Sequence, residues 1–328
     1  MHTGRLVKEL GCELVEKQDE LAQELNGETS MVNSTSKVWQ LDGRQIGVAN
    51  TDKVFWPEEG YAKEDMLRYY KAVAPIMLPY LKDRPVTLHI FPDGIHGFSY
   101  YRRDLPENAP AWLRSVDYHP ETSDRVIQLP LVDDVAGLVW LANQASVEFH
   151  LWGSRVPNLS QPDWAIFDLD PGDEAGFADT LQAALRLRDA LARLGLRGWP
   201  KTSGGRGLHV YLPLAPGHVF DAVRAWVKAL AEQLAAAYPD LIAVAHGATH
   251  RGRQVTIDHA QNSVGRNTAA PYTLRAHPGA PISAPLSWDE VENGRLRPAD
   301  LTLRAIPERV QQVGDLFAPV LQGDQHLP

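Results

Sequence analysis

WAIFDLD (164–170) and KTSGGRGLHVYLPL (201–214) are the two stretches of this sequence that decide its fold. The first is an apolar run that ends in two acids, and the second ends in a similar run, so both predict buried strands. Between them, apolar residues recur at helical spacing from Leu181 to Leu194, and Gly195 ends the predicted helix. A strand, a helix and a returning strand are typical of an α/β protein.

The flanking segments extend this unit. A short strand is predicted over 196–201, and the apolar positions of 219–234 indicate a second helix that starts near Pro216. RQVTID (253–258) predicts a further strand that ends in an acid. The first 110 residues are less regular and rich in aromatic residues and proline, which favours a mixed β and loop subdomain packed on the α/β centre.

Length and composition limit the class of protein. The chain has 328 residues, of which 44% are hydrophobic and 22% charged, as in ordinary globular proteins of one or two domains. It contains neither a membrane-spanning apolar run nor a signal peptide, so we expect a cytoplasmic protein without a membrane partner. Because Cys12 is the only cysteine, any bound metal must be held by Asp, Glu or His.

Two segments are predicted along the chain. Residues 1–36 form an appended helix followed by the linker NGETSMVNSTS (26–36), within which Met31 is an alternative start. Residues 37–328 contain no second polar break and no repeat, so they are predicted to form one continuous domain.

The net charge of -9 argues against a general nucleic-acid binder, because such proteins usually carry a basic surface. Part of the acidity is local, since residues 1–30 contain three Lys or Arg against seven Asp or Glu. A basic run also occurs, and we interpret most of it as a solvated helix face. This run comprises Arg186, Arg188, Arg193, Arg197, Lys201 and Arg206.

Three acids are predicted to meet at one rim of the sheet. Asp168 and Asp170 lie two residues apart at a strand end, so their carboxylates point to the same face, and Asp258 ends another strand. Neighbouring carboxylates repel one another unless cations lie between them, so the pattern indicates two Mg²⁺ or Mn²⁺ ions that serve nucleotidyl transfer. A simple turn cap in LDPGD is the alternative for the first pair.

The glycine-rich stretch TSGGRGLH (202–209) is predicted to bind phosphate. Its glycines allow backbone N–H groups to approach an anion, and Ser203, Arg206 and His209 supply further donors. The GxxxxGK[ST] spacing of a Walker motif is absent from it, and an ordinary hairpin turn is the alternative.

The order of these motifs resembles a known family. EFHLW, FDLDPGD, TSGGRGLHVY and IDHAQNSVGRNTAAPYTLRA follow one another, and NTDKVFWPEEGYAKEDMLRYY and LKDRPVTL precede them. From about residue 45 to 320, the sequence resembles the polymerase domain of bacterial ligase D, of the archaeo-eukaryotic primase superfamily. The resemblance implies a primase-like core of mixed β-sheets with covering helices.

The resemblance also implies roles for individual residues. The three aspartates would bind both catalytic metal ions. The residues implied to contact the nucleoside triphosphate are His150, Ser203, Arg206, His209, Arg266 and Arg275. Lys53 and Lys63 match lysines that bind the 5′ phosphate of a DNA end, and Tyr100 and Tyr101 match phenylalanines against the template. Solvated lysines and core aromatics are the alternatives, and His89 departs from the lysine that is usual in the family.

The function implied is a DNA-directed nucleotidyltransferase that fills gaps and extends ends in bacterial non-homologous end joining. A preference for ribonucleotides, and Ku and a separate ligase as partners, are implied with it. Because no KxDG ligase motif occurs, we expect a free-standing polymerase or an excised domain. The alternatives are a primase-polymerase that starts chains de novo, a non-catalytic DNA-end binder and a phosphodiesterase. Three mutually repelling acids argue against the binder, and the phosphate-binding loop argues against the phosphodiesterase.

Overall fold

The computed structural model describes residues 37–120, 125–244 and 252–328 and shows an α/β protein built on two main sheets. The predicted helix and linker of 1–36 lie outside the described residues. The strands are β1 (Lys37–Leu41), β2 (Arg44–Val48), β3 (Val54–Trp56), β4 (Tyr61–Ala62), β5 (Val86–Ile90), β6 (Tyr100–Arg102), β7 (Ser115–Tyr118), β8 (Ile127–Pro130), β9 (Ser146–Trp152), β10 (Trp164–Pro171), β11 (Trp199–Thr202), β12 (Leu208–Pro213), β13 (Ile242–Val244), β14 (Val255–Asp258) and β15 (Asn267–Ala269).

The helices are α1 (Lys63–Leu81), α2 (Val135–Asn143), α3 (Phe177–Arg193), α4 (Phe220–Ala237), α5 (Trp288–Asn293) and α6 (Ala305–Val313). Short 3₁₀ turns occupy Pro298–Asp300 and Ala318–Leu321. None of the helices in the described residues combines the length and hydropathy needed to cross a bilayer.

The central sheet has the strand order β11–β12–β10–β14–β13 and confirms the α/β centre predicted from the sequence. Its pairs are antiparallel except for the parallel pair of β13 and β14. β10 lies in the middle, and its first six residues are buried because α3 and α4 both pack on it. The predicted helix end also holds, since α3 ends at Arg193 and Gly195 follows with a φ of +73°.

The second sheet has the order β15–β9–β5–β6, with every pair antiparallel. All seven residues of β9 are buried, and α2 packs on this strand. The strands of this sheet come from two separate parts of the chain. β5 and β6 precede the strands of the central sheet, and β15 follows them. It therefore makes the second wall of the cavity described below.

The first half of the chain also contains a long helix that the sequence analysis did not predict. α1 has 19 residues and packs on α2, and its buried side chains include Tyr70 and Met77. Pro75 and Pro79 lie inside it, and proline in a helix interior normally kinks or ends the helix. Apolar residues therefore recur at helical spacing in this segment, but its two prolines argue against a helix when the sequence is read alone.

Candidate active site

A cavity of about 560 Å³ is lined by residues of both sheets. Eight of the predicted site residues line it, namely Tyr101, His150, Asp168, Asp170, Ser203, Arg206, His209 and Arg275. The other predicted site residues do not line the cavity. They are Lys53, Lys63, Tyr100, Asp258 and Arg266. Residues more than 170 positions apart in the sequence thus meet around one cavity.

Asp168 is the centre of the acidic group. It lies directly opposite His209 on β12 and directly opposite Asp258 on β14, so the three side chains share one face of the sheet. Asp258 therefore neighbours Asp168 without lining the cavity itself. Burial, together with the charge of Asp258, raises the pKa of Asp168 to about 6. The group thus concentrates negative charge at the cavity floor.

The acidic group fits a divalent cation. Oδ1 of Asp168 is buried and accepts no hydrogen bond of good geometry, although His209 Nε2 lies 3.2 Å from it, while Oδ2 accepts a long bond of 3.4 Å from Gln261 Nε2. A buried carboxylate oxygen without a donor is costly unless a cation neutralises it. Oxygen ligands of this kind suit Mg²⁺ or Mn²⁺. The oxygens of Asp168, Asp170 and Asp258 are not all within 4.8 Å of one another, as mutual repulsion predicts.

A second group in the described residues has ligand atoms within 4.8 Å of one another, and it consists of His89, Glu148 and His150. The three side chains of this group already bond to one another, because Glu148 Oε2 lies 2.8 Å from His150 Nε2 and 3.2 Å from His89 Nδ1. The guanidinium of Arg275 lies beside the same carboxylate and would repel a cation. The aspartates therefore remain the predicted metal-binding residues.

The phosphate-binding loop between β11 and β12 is folded tightly onto the end of β10. Ser203 Oγ accepts hydrogen bonds of 3.2 Å from the backbone N–H groups of Gly205 and Gly207. A Cβ atom at Gly207 would lie 2.8 Å from the carbonyl oxygen of Leu169, so only glycine allows this approach. The loop therefore lies next to the acidic group, as the sequence analysis predicts.

Arg206 lines the cavity, but its Nη2 atom is engaged with the protein itself. Nη2 donates to the carbonyl oxygens of Gly172 and Ala175, at 2.6 and 2.8 Å, in the turn that follows β10. Both bonds use the same nitrogen, so Nη1 and Nε remain for an anion. Arg206 thus ties the loop to the turn beside Asp170.

Replacing Arg206 by alanine is expected to raise the KM for the nucleoside triphosphate roughly tenfold, because one charge-assisted contact to phosphate is lost. Steady-state extension on a fixed primer-template measures this change. The affinity for duplex DNA should stay within about twofold, and Arg193→Ala on α3 serves as the matched control. A loss of DNA affinity with an unchanged KM would assign the loop to DNA instead.

Arg275 joins the two walls of the cavity. Its Nη1 atom donates to the carbonyl oxygen of Ser203 at 2.6 Å, and its Nε lies 3.1 Å from Glu148 Oε1. Gly204 has a φ of +80°, and a Cβ atom there would lie 2.3 Å from Arg275 Cγ. The arginine therefore packs directly on the glycine-rich loop and fixes its distance from β9.

Glu148 is the main site residue that the sequence analysis missed. Burial alone would raise its pKa, but hydrogen bonds from His150 and His89 and the charge of Arg275 hold the pKa well below its usual value. It also accepts a bond of 2.9 Å from the backbone N–H of Ala276. The sequence EFH could have indicated Glu148 as a site residue, because Glu148 and His150 lie two residues apart on a strand and share one face.

The two tyrosines of β6 lie on opposite faces of the second sheet, as adjacent strand residues must. Tyr101 lines the cavity and stacks on His89, with ring centroids 4.0 Å apart. Tyr100 is buried and stacks on Phe98. Template stacking thus stays a prediction for Tyr101, whereas Tyr100 occupies the position of a core aromatic.

Lys53 and Lys63 lie side by side at the start of α1, where the backbone N–H of Lys63 donates to the carbonyl oxygen of Lys53 at 2.8 Å. The Lys63 ammonium is buried and donates to Ala49 O, and the Lys53 ammonium lies 2.6 Å from Asp93. Burial and the nearby charge of Lys53 lower the pKa of Lys63 to about 8. Two cations held together in this way favour an anionic ligand.

Two further basic residues, Arg266 and Lys201, do not line the cavity, and a nucleotide contact of Arg266 stays a prediction. Arg266 is exposed in the loop before β15 and does not line the cavity, although its neighbour Asn267 does. Lys201 is not on a solvated helix face, because it is a fully buried residue of β11. The solvated face predicted for most of the basic run therefore does not include Lys201, which belongs to the strand predicted over 196–201.

Comparisons with known proteins show which proteins this chain resembles. A family model described as LigD, primase-polymerase domain, matches residues 62–317. The multifunctional non-homologous end joining protein LigD of Mycolicibacterium smegmatis is 31% identical over 280 residues, which are 84% of this chain and 36% of that protein. The bifunctional non-homologous end joining protein LigD of Bacillus subtilis is 28% identical over 285 residues, which are 87% of this chain and 45% of that protein. This chain therefore spans less than half the length of these relatives.

A solved structure is also similar over most of its length. The polymerase domain from Mycobacterium tuberculosis ligase D, in complex with DNA, has a TM-score of 0.79 and 31% sequence identity to this chain. The match covers 84% of this chain and 98% of that domain.

Proposed function

Because this chain belongs to the family of LigD primase-polymerase domains, we propose that it is a DNA-directed nucleotidyltransferase that fills gaps and extends DNA ends in non-homologous end joining. The observation that carries the proposal is the single cavity in which Asp168 and Asp170 face the phosphate-binding loop. A metal-binding group and a triphosphate-binding group are then within reach of the same reacting phosphate.

The residues have distinct parts in this reaction. Asp168, Asp170 and Asp258 would hold two Mn²⁺ or Mg²⁺ ions, which neutralise the triphosphate and lower the pKa of the attacking 3′ hydroxyl. The loop of Ser203 and the guanidinium of Arg206 would hold the β and γ phosphates by N–H donors. Tyr101, on the opposite wall, is positioned to stack on a base.

Primer extension on gapped DNA tests the proposal. The purified chain, a labelled primer and each of the eight NTPs and dNTPs are combined with Mn²⁺ or Mg²⁺, and extended products are resolved by length. We expect templated addition that requires the metal, with ribonucleotides used more efficiently. Synthesis of dinucleotides on an unprimed strand would favour the de novo primase-polymerase, and no addition under any condition would favour the end binder.

We further propose that Lys53 and Lys63 bind the 5′ phosphate at the downstream side of a gap. A terminal phosphate carries about half a charge more than an internal one, and the protein has no overall positive field, so such focused contacts matter more. Replacing both lysines by alanine is expected to remove a roughly tenfold preference for phosphorylated gaps, while extension on an open primer-template continues. Equal binding of phosphorylated and dephosphorylated gaps by the unmodified protein would contradict the assignment.

The same preference should depend on pH. The pKa of Lys63 is about 8, below the ordinary lysine value, so the ammonium is present below that pH and is lost above it. The ratio of affinities for 5′-phosphate and 5′-hydroxyl gaps is therefore expected to fall between about pH 7 and about pH 9. Fluorescence anisotropy measures both affinities, and the ratio cancels pH effects common to the two DNAs. The double lysine variant is the control, and its ratio should stay flat.

Ku and a separate ligase are the proposed protein partners. The support is the relatives' names, which describe non-homologous end joining proteins. Co-purification of this chain with Ku on a DNA end, compared with Ku alone, tests the first partner. Gap filling followed by sealing in a reconstituted reaction tests the second.

A further inference from the structure

Lys201 has no side-chain exposure at all, which is unusual for lysine, and its ammonium nitrogen lies within the active-site wall. It belongs to β11, directly opposite His209 on β12. Its Nζ atom lies 2.9 Å from His209 Nδ1 and 2.5 Å from Ser283 Oγ. On the other side of the imidazole, Nε2 lies 3.2 Å from Asp168 Oδ1.

The direction of these hydrogen bonds can be worked out from the acceptors. Ser283 Oγ donates to the carbonyl oxygen of Thr202 at 2.7 Å, because a carbonyl can only accept. Ser283 Oγ must therefore accept from Lys201, and the amine keeps a second N–H for His209 Nδ1. If an N–H of Lys201 points at Nδ1, then Nδ1 is the acceptor and the proton of the neutral imidazole is on Nε2.

The carboxylate on the far side of the ring requires the same tautomer. An unprotonated Nε2 would place its lone pair against Asp168 Oδ1 at 3.2 Å, whereas an Nε2–H group is attracted to that oxygen. His209 and Asp168 both line the cavity, and Nε2 is the ring nitrogen that lies beside Asp168.

We propose that Lys201 is a positioning residue that holds the imidazole of His209 with its Nε2–H group facing the cavity, so that the ring donates a hydrogen bond to a bound phosphate oxygen. The proposal deepens the proposed function and rests on it for the identity of the phosphate, which is that of a nucleoside triphosphate. Without Lys201, Nδ1 has no donor, and the ring is free to rotate or to carry its proton on the other nitrogen.

The first test needs no variant of Lys201. In protein labelled with ¹⁵N in its histidine rings, the signals of His209 are identified by their loss in His209→Ala, since the chain has 12 histidines. We expect a protonated Nε2 and an unprotonated Nδ1 near pH 7. A ring protonated on Nδ1 alone, or on both nitrogens, would overturn the proposal whether or not a Lys201 variant folds.

The second test uses Lys201→Met, which keeps the length of the side chain and removes its donor. We expect the His209 signals to shift toward a second tautomer or to broaden, and the affinity for ATP with Mn²⁺, measured by calorimetry, to fall roughly tenfold. In extension assays the KM should rise more than kcat falls. Lys82→Met, at an exposed lysine after α1, is the matched control and should leave the signals and the affinity unchanged.

A double-mutant cycle separates positioning from a general structural effect. In the His209→Ala background no imidazole remains to be oriented, so Lys201→Met should cause no further loss of ATP affinity. An additional loss as large as that in the unmodified protein would overturn the proposal. Because the ring signals and calorimetry do not require turnover, a protein that fails to extend primers yet shows both effects would contradict the polymerase function and not the role of Lys201.

Discussion

Replacing Asp168 by asparagine is expected to reduce nucleotide addition by at least about a thousandfold, which corresponds to about 4 kcal/mol in the barrier. Asp168 lies between Asp258 and His209 at the floor of the cavity, and its Oδ1 atom accepts no hydrogen bond of good geometry from the described residues. An amide of the same shape cannot supply the negative charge that holds the metal ions. Single-turnover extension with saturating nucleotide and Mn²⁺ measures the loss.

The same variant should not be less stable, and this distinguishes loss of chemistry from loss of fold. Burial and the charge of Asp258 work against an ionised Asp168, so asparagine removes a repulsion. The melting temperature without divalent ions should be equal or higher, and added Mn²⁺ should raise it in the unmodified protein only. Asp240→Asn, at an exposed position, is the control. Near-normal extension by Asp168→Asn would remove the two-metal assignment.

Replacing Arg275 by alanine is expected to raise the KM for the nucleoside triphosphate about a hundredfold and to destabilise the protein by about 3 kcal/mol. The guanidinium is bonded to the Ser203 carbonyl in one wall and lies beside the Glu148 carboxylate in the other. Its removal loosens the phosphate-binding loop and leaves a buried carboxylate without its cation. Extension kinetics and urea denaturation measure the two effects separately.

Glu148→Gln provides the control for Arg275, because it removes the charge that the arginine compensates. In this background, Arg275→Ala should cost much less stability, while the loss in KM should persist because the bond to Ser203 is still missing. A stability loss that is the same in both backgrounds would show that Glu148 and Arg275 are not coupled. Arg275→Lys should recover part of the stability and little of the KM.

Local patterns were sufficient for the centre of the fold. WAIFDLD and LHVYLPL predicted β10 and β12, and the leucine spacing predicted α3 to within two residues at its end, because burial on both faces and helical periodicity are written in neighbouring residues. α1 could not be predicted in this way. Its interior prolines oppose the helix locally, and only packing on α2 and the rest of the core stabilises it.

Part of the site could also be predicted. The i and i+2 spacing of Asp168 and Asp170 follows from the pleat of a strand, and the glycines of the phosphate-binding loop follow from its close approach to β10. The order of the motifs predicted the family, which the comparisons confirm. The family motif did not indicate where the side chain of Tyr100 points. Side chains alternate between the two faces of a strand, and that of Tyr100 points into the core.

The sequence by itself therefore determined the strands, the principal helices of the centre and the chemical groups available for phosphate and metal. Only the tertiary structure decided which of these groups meet. Register across four strands places Lys201, His209, Asp168 and Asp258 in one row, and the second sheet brings Glu148 to Arg275. The reason is physical, since strand propensity depends on neighbours in the chain, whereas the pairing of strands and the burial of a lysine or a glutamate depend on contacts between residues far apart in it.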